Sequence, residues 1–134
     1  MTQHASGPFE VKLAPLDPAF KTEDSFLGRM PIEKQFHGDL EAVSQGEMLT
    51  AATSVKGSAG YVAMERVSGS LNGRTGTFIL QHTATMNRGT PQLSIVVVPD
   101  SGTGQLTGLS GSMNIQIAAG KHSYDFAYSL PGAH

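Results

Sequence analysis

Residues Tyr61–Thr83 read YVAMERVSGSLNGRTGTFILQHT, and the Asn72-Gly73 pair at their centre decides the fold. Asn-Gly between two extended segments is the strongest short code for a two-residue hairpin, a type I′ turn whose central residues both take positive φ. Such a loop sets Leu71 against Arg74, Val67 against Phe78, Glu65 against Leu80 and Ala63 against His82. Directly opposed residues share a face. One face therefore carries Tyr61, Ala63, Glu65, Val67, Gly69 and Leu71 with Arg74, Gly76, Phe78, Leu80 and His82. It is more apolar than the face of Val62, Met64, Arg66, Thr77, Ile79 and Gln81, and it is expected to point inward. A three-residue bulged loop would instead turn His82 outward.

Turn-forming clusters recur outward from this hairpin, near 38–44, 56–60, 86–91, 99–104 and 118–122. That spacing is close to the roughly 8 to 12 residues expected of a sandwich or barrel. It predicts eight strands, over 9–14, 30–40, 45–54, 60–71, 74–85, 92–99, 104–117 and 122–130. Pro8, Pro15, Pro18 and Pro31 interrupt the start, so residues 1–29 read as a partly irregular segment, with 14–29 a surface excursion. The length, 134 residues, suits one domain over 1–134. Tyr124, Phe126, Tyr128 and Leu130 alternate with polar residues and supply an apolar lining. The run Leu93–Val98 is apolar at nearly every position, which predicts cover on both faces and a homo-oligomer, a dimer or trimer.

Composition narrows the function. A formal charge of -2 with no block of like charges excludes a nucleic-acid footprint. Zero cysteines exclude disulfides, cysteine nucleophiles and thiolate metal sites. The five histidines show no HxH or HExxH spacing, and GxSxG does not occur, so neither a metal site, a cofactor nor a serine triad is expected. No apolar run approaches the roughly 18 residues of a membrane-spanning helix, and Met1–Pro8 lacks the basic and apolar regions of a signal, so a cytoplasmic location is the expectation. The glycines of Ser101–Gly111 do not match GxxxxGK[ST] and read as a tight turn entering a strand.

The inward face raises one chemical question, because Glu65 and His82 go inside with it. An isolated buried carboxylate is expensive, so Glu65 must be hydrogen-bonded, paired or protonated. One reading makes Glu65 and His82 a general acid/base pair, with burial raising the carboxyl pKa. The other makes them a structural pair that satisfies each other. Arg74 lies too far along its strand to pair with Glu65 and is expected at a barrel mouth.

The segments YVAMERVSGSL (61–71), NGRTGTFILQHT (72–83) and PDSGTGQLTGLSG (99–111) resemble the bacterial family named domain of unknown function 3224. The family pattern GxERVxGxLxGRxGxFxLQH is matched except that Ala63 stands where glycine is usual, and Thr83-Ala84 replaces Thr-Gly after the histidine. The resemblance implies an eight-stranded antiparallel barrel similar to allene oxide cyclase and dirigent proteins, relatives that hold apolar small molecules inside and steer a cyclisation or coupling. It implies no established activity, so whether the chain is an enzyme stays open.

Two functional expectations result. In the first, the barrel binds a small apolar or carboxylated metabolite and isomerises or cyclises it. Glu65 is then the proton acceptor or anchor, His82 orients it, Arg74 attracts an anionic end, and Tyr61, Phe78, Leu80, Tyr124 and Tyr128 shape the wall. In the second, the interior is filled and the barrel is an oligomerisation or protein-interaction module, with its interface around Leu93–Val98.

Overall fold

The computed structural model describes residues 2–13 and 25–131. Its strands are β1 (Gln3–Leu13), β2 (Ser25–Phe36), β3 (Leu40–Thr53), β4 (Ala59–Leu71), β5 (Arg74–Asn87), β6 (Thr90–Val97), β7 (Ser110–Ala118) and β8 (Lys121–Ser129). Each pairs antiparallel with the next, and β1 pairs with β8 to close an eight-stranded barrel. Closure leaves no open sheet edge. No helix among the described residues is long and apolar enough to cross a membrane.

The β4–β5 hairpin has the predicted turn, with Asn72 at φ 47° and Gly73 at φ 85°. Its register places Leu71 opposite Arg74, Val67 opposite Phe78, Glu65 opposite Leu80 and Ala63 opposite His82. The apolar face points inward, as the alternating burial of β4 and β5 records. His82 is therefore inside, and the bulged-loop alternative does not occur.

The N-terminal region is more regular than its prolines suggest. β1 starts at Gln3 and β2 already at Ser25, so of the excursion read at 14–29 its last five residues are strand, and residues 14–24 lie outside the described residues. Pro8 is tolerated because β1 pairs only with β8 at that point, while pairing with β2 begins at Phe9. The strand expected over 104–117 is also shorter. Its first residues form a short 3-10 turn, Gly104–Leu106, and the preceding loop lies along β5. There Thr77 N–H donates to Thr103 Oγ1 (3.1 Å), and Ile79 N–H donates to Ser101 Oγ (3.0 Å).

One half of the barrel is packed solid. Phe78 stacks on Phe126 at 5.8 Å, Phe126 on Tyr128 at 5.3 Å, and Phe36 meets Tyr124 edge-on at 5.5 Å. Leu71, Leu106, Leu109 and Leu130 close that end. The other half opens. Inward-facing residues there lose their cover, and Leu93 is 44%, Met86 39% and Ile117 67% exposed. On β6 only Ile95 and Val97 are buried, whereas Val96 faces out and is exposed, so among the described residues the outward face of Leu93–Val98 has no full cover. The broader outward apolar stripe is Leu49, Val62 and Met64 on β3 and β4.

Candidate functional site

Four inward positions on consecutive strands form a polar row across the barrel at the top of its packed half. Lys34 shares its face with Ile32 and Phe36, Ser44 with Leu40 and Ala42, Glu65 with Ala63 and Val67, and His82 with Leu80. The ladder sets Lys34 opposite Ser44, Gly46 opposite Glu65, and Ala63 opposite His82. Gly46 is required for this approach, because an added Cβ would run into the Met64 carbonyl oxygen and Glu65 Cα.

Glu65, 1% exposed, is the hub. Lys34 Nζ donates to Oε1 at 2.9 Å, His82 Nε2 lies 2.6 Å from the same oxygen, and Ser44 Oγ donates to Oε2 at 2.5 Å. The Lys34 ammonium also sits 5.3 Å from the Phe9 ring centroid and 5.8 Å from that of Phe36, within cation–π range. Burial alone would raise the Glu65 pKa. The His82 hydrogen bond, the Lys34 charge and the Ser44 hydrogen bond outweigh it, and the value falls from 4.5 to about 2. The expected rise is thus reversed. An ionised carboxylate only accepts, so Nε2 carries the imidazole proton. His82 Nδ1 is then the one buried side-chain polar atom without a partner among the described residues.

Above this row the barrel opens into a pocket of about 610 Å³, lined by Met30, Tyr61, Met86, Leu93 and Ile117 among others. Its volume falls within the roughly 300 to 1,000 Å³ of small-molecule sites. Tyr61 links the two levels, since its ring lies 6.3 Å from that of His82 while it lines the pocket.

The residues singled out in the sequence separate accordingly. Glu65, His82 and Tyr61 come together. Phe78 and Leu80 are core residues of the packed half. Tyr124 accepts from Leu40 N–H (2.8 Å) and donates to the His37 carbonyl (2.7 Å), while Tyr128 accepts from Asn72 Nδ2 (2.6 Å) and donates to Gln3 Oε1 (3.2 Å). Both hydroxyls are therefore committed to structure. Arg74 follows the Asn72-Gly73 turn at the closed end, remote from the open mouth. Lys34 and Ser44 were missed, although the alternation Ile32-x-Lys34-x-Phe36 and Leu40-x-Ala42-x-Ser44 marks them as inward. Among the described residues no group of three His, Cys, Asp or Glu is placed to hold a metal ion.

Comparison with known proteins agrees with this architecture. The family described as "Protein of unknown function (DUF3224)" matches residues 5–128. A crystal structure of a protein of unknown function from that family, from Shewanella oneidensis MR-1, is 49% identical. It superposes with a TM-score of 0.94 over 99% of this chain and 100% of that one. No curated protein matches the chain.

Proposed function

The chain belongs to the DUF3224 family, and we propose that it is a binding protein for a small, mostly apolar molecule held in the open end of the barrel. The observation that carries this is the mouth itself. Leu93, Met86 and Ile117 lie on the inward faces of their strands yet stay in contact with water around a pocket of about 610 Å³. An apolar guest that covers them regains roughly 25 cal/mol for each Å² removed from water. The packed half and the polar row beneath give the pocket a rigid floor.

Binding is favoured over an isomerising or cyclising reaction by the state of Glu65. A carboxylate held at about pKa 2, with both oxygens engaged by Lys34, His82 and Ser44 and only 1% of the residue exposed, is a weak base out of reach of a guest. Its role in this reading is to anchor the floor.

Titration with the fluorophore N-phenylnaphthylamine tests the proposal. The wild-type protein is expected to enhance its fluorescence saturably, and Ile117→Glu to weaken binding at least about tenfold by placing a charge in the mouth. Ile117 is 67% exposed, so the variant keeps its unfolding midpoint. Absent enhancement in the wild type, or equal affinity in the variant, contradicts the proposal.

A further inference from the structure

We infer that the molecule taken up at the open end is uncharged and presents one oxygen to the Tyr61 hydroxyl. The inference rests on the reading of the open end as a binding site and narrows the class of ligand. It stands on the different fates of the three tyrosines and on the charges around the pocket.

Tyr124 and Tyr128 each have a hydroxyl that both donates and accepts within the fold. Tyr61 has no hydrogen-bond partner for its hydroxyl among the described residues, and its half-buried side chain lines the pocket. A purely hydrocarbon guest would strip water from that donor and leave it unpaired, which is costly. A guest with a carbonyl, ether or hydroxyl oxygen at that place keeps the donor satisfied. The same logic makes such a site reject close analogues that lack the oxygen.

Charge selects against an anion. Among the described residues lining the pocket none is Lys, Arg, Asp, Glu or His. The nearest cation of the floor, Lys34, is already committed to Glu65 at 2.9 Å. A carboxylate guest would therefore enter an apolar site without a counter-ion, above the ionised Glu65. Tyr61 registers that environment: burial and the Glu65 charge both raise its pKa, which keeps the hydroxyl protonated and donating. Arg74, the residue expected to attract an anionic end, belongs to the closed end.

Displacement of bound N-phenylnaphthylamine by decanone, decanol and decanoate, at about pH 8 where the acid is ionised, provides the test. Decanone and decanol are expected to displace the fluorophore at concentrations at least about tenfold below that of decanoate. Tyr61→Phe is expected to weaken decanone by about three- to tenfold relative to the fluorophore, whose affinity for the variant is titrated separately, the worth of one hydrogen bond. The wild-type ranking needs no variant, so a poorly folded Tyr61→Phe does not spare the inference. Decanoate competing as well as decanone, or decanone indifferent to Tyr61→Phe, overturns it while fluorophore binding upholds the open end as a site. No fluorophore binding to the wild type overturns both.

Discussion

Lys34→Met is expected to lower the unfolding free energy by about 3 to 5 kcal/mol, because it strips the cation from a carboxylate that is 1% exposed. At this chain length the loss corresponds to a fall in midpoint of about 10 to 15 °C. The loss comes from leaving a charge uncompensated, not from the pair's own stabilising worth. Buried ion pairs often break even against apolar replacements of similar shape, since desolvating two charges costs about as much as their attraction returns. Lys34→Met combined with Glu65→Leu is therefore expected to recover most of what the single substitution loses. Residual loss falls on Ser44 and His82, whose hydrogen bonds to Glu65 disappear with it. Urea unfolding of the two variants measures the difference. Additive losses, or a single variant within about 1 kcal/mol of wild type, would show that the three-way grip on Glu65 does not form.

The second large effect is loss of stability in acid. The Glu65 carboxyl titrates near 4.5 when unfolded and at about 2 in the barrel. Between those values the unfolded chain binds the proton and the native state does not. The stabilisation is complete above about pH 5, shrinks as pH falls, and is gone near pH 2. Its size is on the order of 3 kcal/mol. Glu65→Gln removes the ionisable group, so the variant is expected to be less stable than wild type at neutral pH and to converge with it toward pH 2. Parallel curves for the two proteins across that range would be the contrary result.

Much of this architecture was legible in the sequence, and the hairpin shows why. Asn72-Gly73 fixes a loop length, a loop length fixes a register, and the register alone sends Glu65 and His82 inward together. Lys34 stayed hidden because an isolated lysine normally reads as solvated surface. Only the alternation with Ile32 and Phe36, joined to the knowledge that Glu65 lies two strands away, marks it as the carboxylate's partner. The pKa reversal follows from the same omission: burial is the largest single influence, and Lys34 and Ser44 join His82 in outweighing it. Tyr124 and Tyr128 look like pocket walls in sequence, yet they fill the closed half. Alternation tells which residues face inward and not how far along the barrel the packing extends. That depends on the Leu106 and Leu109 loop capping one end, while among the described residues no equivalent cap covers Leu93 and Ile117.

The most direct test of the ligand-binding reading is a crystal structure of the protein grown with 10-bromodecan-2-one, in which bromine is located by its anomalous scattering. The account predicts bromine inside the open end, against Met86, Leu93 and Ile117 and above Tyr61. Bromine confined to the outward stripe of Leu49, Val62 and Met64, with the mouth empty, would contradict it.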